Sequence, residues 1–251
     1  MGESINPWTG AGELLGLADS EPAVVAVVGC GGKTTLIDSL ASAYRHKKVL
    51  ISPTTKIRAR QAGADVVRTT MQECLTHEPI PGVQCLGLLN AELGKLEALP
   101  AAWLEAHVRD YDLVLLEADG SRMLPCKGWR SYEPVVPPYC THTVGVVTLD
   151  ALGKPADDET VLRLPEFLRL TGLREGEEIT LQALTAMVCG ADGMFRGAAG
   201  RQSILVNRVE DEAAVAVAQA WLRDIDRAWP GRFDCLACGS ARANRFRRFD
   251  T

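Results

Sequence analysis

One segment constrains this chain more than any other: Val24-Val25-Ala26-Val27-Val28-Gly29-Cys30-Gly31-Gly32-Lys33-Thr34-Thr35-Leu36. An apolar, β-branched run reads as a buried strand, and it stops at a glycine-rich turn. Lys-Thr-Thr then opens a helix, because Leu36, Ile37, Leu40 and Ala43 recur at helical spacing up to about Arg45. Glycines let a backbone wrap an anion with its N–H groups turned inward, and a helix N-terminus adds positive potential there. In such a turn Lys33 would meet the β- and γ-phosphates of a nucleotide, and the Thr34 hydroxyl would ligate Mg²⁺.

The spacing departs from the usual phosphate loop. G-x-x-x-x-G-K-[ST] requires glycine where this chain has Val27, and what stands here is the shorter G-C-G-G-K-T-T. That short form resembles the loop of the Mur-ligase and folylpolyglutamate-synthetase group. The residues assigned to cofactor contact are Gly29, Cys30, Gly31, Gly32, Lys33, Thr34 and Thr35. Cys30 draws attention because a helix N-terminus can lower a thiol pKa.

The rest of the chain alternates short apolar runs with longer amphipathic segments, the pattern of βαβ units and a mainly parallel sheet. Strands are expected at Ala23–Val28, Val49–Ser52, Val83–Leu89, Leu113–Leu116, Thr143–Leu149 and Ser203–Val206. Helices are expected at Leu96–Val108, Glu159–Leu170, Thr180–Val188 with Thr180 as N-cap, and Glu210–Arg223. Residues 151–201 form a candidate helical insertion, yet no linker-like break marks a boundary, so one domain over 1–251 is expected. Composition fits a globular chain, at 47% hydrophobic and 24% charged. The net charge of −5 argues against a general nucleic-acid binder. No apolar stretch suits a membrane span, and Met1–Trp8 lacks the features of a secretory signal. The eight cysteines therefore read as reduced cytoplasmic thiols.

A second cluster of chemistry follows the Leu113–Leu116 run. In an extended chain Glu117 and Asp119 share one face, and ligands of open α/β sheets bind beyond the carboxyl ends of strands. One carboxylate could hold Mg²⁺ while the other orients water or accepts a proton, so Lys33, Glu117 and Asp119 are the catalytic candidates. Thr34, Glu117 and Asp119 are the metal candidates. Ser121 and Arg122 are placed to reach phosphate, and Thr54, Thr55 and Lys56 close the second strand with hydroxyls and a cation. Asn207-Arg208-Val209-Glu210 resembles a guanine-reading N-K-x-D segment, with Arg for Lys and Glu for Asp, so Asn207 is a candidate base contact. Cys235-Leu236-Ala237-Cys238 lacks a second ligand pair and reads as two half-buried thiols rather than a zinc site. Arg242, Arg245, Arg247 and Arg248 read as a solvated basic tail.

Taken together, G-C-G-G-K-T-T, I-S-P-T-T-K-I, E-A-D-G-S-R, Y-E-P-V-V-P at 132–137 and L-V-N-R-V-E-D resemble the YqeC family, over roughly residues 20–210. Its members are described as selenium-dependent hydroxylase accessory or selenium cofactor biosynthesis proteins. The resemblance implies a three-layer, P-loop NTPase-like α/β fold. It adds Glu133 to the substrate candidates Thr54, Thr55, Lys56, Ser121 and Arg122. Cys30 stands where a small residue is expected, and Pro125–Trp129 is atypical, which leaves Lys127 outside the candidate set. The function so implied is Mg²⁺-dependent binding and hydrolysis of ATP or GTP in maturation of selenium-dependent molybdenum hydroxylases. A hydroxylase or cofactor-synthesis protein would be the partner, with no nucleic acid or membrane. Two alternatives stand beside it: phosphoryl or ligase-type transfer to a small acceptor, and a nucleotide-switched carrier that delivers cofactor.

Overall fold

The computed structural model describes residues 8–17, 22–58 and 63–249; the Met1–Pro7 stretch read for a secretory signal lies outside them. Nine strands form the main sheet: β1 (Ala23–Gly29), β2 (Lys48–Pro53), β3 (Val66–Arg68), β4 (Gly82–Leu86), β5 (Leu113–Glu117), β6 (His142–Thr148), β7 (Arg201–Asn207), β8 (Cys235–Ser240) and β9 (Arg245–Arg248). Their spatial order is β9, β8, β7, β6, β1, β5, β2, β4, β3. All neighbours are parallel except β8 and β9. No helix among the described residues is long and apolar enough to cross a membrane.

The apolar character of β1 follows from its position. It is bonded on both edges and covered on both faces, so every residue from Ala23 to Gly29 is buried. Val25 and Val27 pack with Leu36, Ile37 and Leu40 of the helix Lys33–Ala43 on one face. Val24, Ala26 and Val28 join a second core on the other face, with Leu104, Phe167, Leu184, Trp221 and Leu222. Helices thus flank the sheet on both sides, and its architecture is α/β. After β1 the chain lays β2–β5 on one side and β6–β9 on the other, so β1 stands where the strand order reverses. In open α/β sheets that reversal leaves a crevice at the carboxyl end of the strand.

Several expected elements change where a single residue forbids them. The run Val83–Leu89 splits at Gly87, where an added β-carbon would lie 2.6 Å from Leu96 Cγ. Beyond it Leu88–Asn90 joins Lys95–Glu97 and Ile57–Arg58 in a separate antiparallel ribbon. The helix expected over Leu96–Val108 is confined to Ala101–His107, because Pro100 lacks the N–H a helix interior needs and serves as N-cap. Likewise Pro165 holds the next helix to Leu164–Thr171, and Val161–Leu162 pairs instead with Cys126–Lys127. Helix Leu181–Cys189 begins as expected, with the Thr180 hydroxyl accepting from Ala183 N. Helix Glu212–Ala228 runs longer than expected and is capped by Asp211.

The basic tail is not simply solvated: Arg245–Arg248 is the antiparallel edge strand β9, with Arg245 and Arg247 stacked 5.2 and 4.7 Å from the Trp8 ring centre. Cys235 and Cys238 are both fully buried rather than half-buried. Three residues apart on β8, they enter opposite cores, so they cannot share one ligand.

Candidate functional site

At the end of β1 the turn Gly29–Gly32 depends on glycine. Gly31 and Gly32 have φ of 89° and 130°, which L-residues rarely adopt. A β-carbon on Gly31 would lie 2.6 Å from Thr148 Cγ2, and one on Gly32 would overlap Asn207 Nδ2. The helix that follows has no side-chain cap, and the backbone N–H groups from Gly31 to Thr35 find no acceptor among the described residues. Thr34 and Thr35 are exposed on that first turn. Uncapped N–H groups, aligned with the helix dipole, make this the most electropositive backbone surface a helix can offer.

Lys33 is 3% exposed and lies back over its own turn. Its ammonium donates to Gly29 O at 2.7 Å and sits 3.2 Å from Asp119 Oδ1. Asp119 lies just past the end of β5, fully buried, and its carboxylate is the hub of the site. Gly29 N donates to both of its oxygens at 3.2 Å, Lys127 Nζ to Oδ2 at 3.1 Å and Trp129 Nε1 to Oδ2 at 2.7 Å. Burial opposes ionisation of this carboxyl, but the two lysines and the donated hydrogen bonds prevail and hold it below the usual carboxylate range. For Lys33, burial works against the charge, but Asp119 and Glu117 outweigh it and raise its pKa. Lys127 goes the other way: burial dominates, with Lys33 adding repulsion, and its pKa is lowered despite Asp119.

Glu117 and Asp119 therefore do different things. Glu117, the last residue of β5, faces the Thr34 hydroxyl, which donates to its Oε2 at 3.4 Å. Asp119 has both oxygens engaged by four donors, which leaves it as an anchor of Lys33 rather than a free metal ligand. Thr34 and Glu117 remain as an adjacent hydroxyl and carboxylate, two hard oxygen donors of the kind Mg²⁺ takes.

The other candidates divide. Thr54 is held at the strand end beside Glu117, its N–H donating to Glu117 O at 3.1 Å and its hydroxyl to Val135 O at 2.6 Å. Thr55 Oγ1 is buried and has no hydrogen-bond partner among the described residues. Lys56 turns to the ribbon and pairs with Glu97 at 3.0 Å. Ser121 and Arg122 lie on the loop after Asp119, with Arg122 exposed and at φ 49°. Glu133 is buried and ion-paired to Arg163, with Lys127 at 4.0 Å. Asn207 does reach the loop, but its amide is committed to backbone: Nδ2 donates to Gly31 O and Oδ1 accepts from Ala241 N, each at 2.7 Å. At 4% exposure it braces the loop, and that bracing replaces the base contact suggested by its motif. Cys30 is also corrected. Its side chain points to Pro125 O at 2.9 Å, and burial, the largest influence, pushes the thiol up to about 12.

Lys127 and Trp129, both in contact with Asp119, lay outside the candidate set. The signal was their spacing: two residues apart in an extended segment, they share a face.

Comparison with known proteins gives the family. The family described as YqeC protein matches residues 25–165, more than half of the chain. The chain belongs to the YqeC family. It is also 30% identical over 228 residues to a protein of Escherichia coli (strain K12) described as Uncharacterized protein YqeC, a match that covers 85% of this chain and 89% of that relative. For a YqeC protein, the matched stretch takes in the loop, both strand-end acids, Lys127, Trp129 and Glu133.

Proposed function

We propose that this protein binds a Mg²⁺-nucleotide, ATP or GTP, at Gly29–Thr35 and hydrolyses it, in the service of selenium-dependent molybdenum hydroxylase maturation. The observation that carries the reading is the convergence of uncapped N–H groups, a lysine and a threonine–glutamate pair at one strand end. In this reading the backbone from Gly31 to Thr35 cradles the phosphates and Lys33 turns from Asp119 to meet them. Thr34 and Glu117 would hold Mg²⁺, which would supply charge neutralisation to the polyphosphate.

Calorimetry with ATP, GTP and CTP in Mg²⁺, followed by turnover of whichever binds, tests the proposal. Lys33→Ala is expected to weaken binding by about 10–100-fold, the value of a charge-assisted contact. Absence of binding by the unsubstituted protein overturns the reading.

A second reading, transfer of the phosphoryl group to a small acceptor, is favoured by the Thr55 hydroxyl, without a partner among the described residues, just past the end of β2 beside β5. It predicts slow turnover of nucleotide alone and acceleration by an acceptor.

A further inference from the structure

Two buried ammonium groups share one buried carboxylate. Lys33 Nζ is 3.2 Å from Asp119 Oδ1 and Lys127 Nζ is 3.1 Å from Oδ2, and none of the three side chains is more than 3% exposed. They differ in freedom. Lys33 projects from the first turn of a helix with no side-chain cap, and its other partner is a single carbonyl, Gly29 O. Lys127 is fixed from several sides. It belongs to the short parallel pair with Val161–Leu162, donates to Gly120 O at 2.7 Å, lies 5.2 Å from the Trp129 ring centre and has Glu133 at 4.0 Å.

We propose that Lys127 is a positioning residue that retains the Asp119 carboxylate when Lys33 leaves it for a bound polyphosphate. Without Lys127, Lys33 could depart only by stranding a buried carboxylate in a low-dielectric site, which is strongly unfavourable. With Lys127 in place, departure turns two cations on one anion into a one-to-one pair. Trp129 and Gly29 N–H keep the carboxylate oriented in both arrangements. Lys127 therefore acts through Asp119 and Lys33 and touches no ligand. This inference rests on the polyphosphate reading of the loop.

The test uses the full chain, with Mg²⁺ and tripolyphosphate, ATP or GTP as probes. Lys127→Met should raise the dissociation constant by about tenfold or more, because Lys33 is then the only lysine left on Asp119. Its effect should fall on KM and not on kcat. Lys127→Arg should restore much of the affinity. Adding Asp119→Asn to Lys127→Met should also recover binding, since Lys33 is no longer held; a merely structural lysine would give further loss instead. A ligand-free readout is the thermal stability of Lys33→Met, Lys127→Met and the double variant. Each single change leaves a one-to-one pair, so the double change should cost more than the two singles together. Additive stabilities, or tight binding by Lys127→Met, overturn the inference and leave the loop's function standing. No binding of any probe by the unsubstituted protein overturns both, while the stability cycle still reports whether the carboxylate is shared.

Discussion

The side-chain amide of Asn207 donates to the carbonyl oxygen of Gly31 at 2.7 Å, tying the turn after β1 to the end of a strand two places away in the sheet. The loop is therefore braced from outside itself, and the space that brace occupies leaves room for only hydrogen at Gly32.

Gly32→Ala is expected to be damaging on two counts, a φ of 130° and overlap with Asn207 Nδ2. Strain of this kind costs about 1–3 kcal/mol and would move the Asn207 brace as well. Thermal unfolding and nucleotide calorimetry would both register it. Gly120→Ala is the control, since an added β-carbon there meets nothing closer than Lys56 O at 3.8 Å.

Asp119→Ala would leave the Lys33 and Lys127 ammonium groups without their common anion. Removing one partner of a buried pair costs about 3–5 kcal/mol, so denaturant unfolding should show a much larger loss than for Lys33→Ala, which leaves Asp119 paired with Lys127. Equal losses would contradict the hub role of this carboxylate.

Glu117→Gln keeps the shape of the Thr34 contact and removes its charge. If Glu117 holds Mg²⁺ or orients water, turnover should fall by about 10²–10⁴-fold. Nucleotide binding without Mg²⁺ should be unaffected. Calorimetry with and without the metal, set beside a phosphate-release assay, separates the two effects.

The buried thiols carry a pH signature. Burial pushes Cys30 and Cys140 up to about 12 and Cys189, Cys235 and Cys238 up to about 11. An ordinary thiol ionises near about 8.5. Because the folded-state values are raised, the unfolded chain releases these protons first. The stability they confer is complete below the unfolded value and is lost as pH rises from there toward 11–12. Unfolding free energy should therefore decline steadily above pH 9 or so, and native Cys30 should resist iodoacetamide at pH 8 until denaturant is added.

Much of this arrangement was legible in the residues. The strand–turn–helix unit, the acids at the end of β5 and the cap at Thr180 are local, written in contiguous residues whose types and spacing have direct geometric meaning. What was hidden is non-local. The roles of Glu117 and Asp119 look interchangeable in sequence, and only the approach of Lys127 and Trp129 from a later segment makes one an anchor and leaves the other beside Thr34. Asn207 carries a base-reading signature, yet its surroundings at Gly31 and Ala241 convert it to a brace. Leu96–Val108 has helical periodicity, but pairing with Ile57–Arg58 and Leu88–Asn90 claims its first residues before Pro100 lets a helix begin.

The place of β1 between β5 and β6 has a consequence for how the protein is made. Val24 pairs with Val114 on one side, and Val25 pairs with His142 on the other. During synthesis the glycine turn emerges early, while the strands that support it are not yet present, and such distant pairings form slowly. A nascent chain stopped short of β6 would expose β1 as a bare apolar edge, an invitation to aggregation. The earliest strand of the sheet thus waits for the sixth before it has both neighbours.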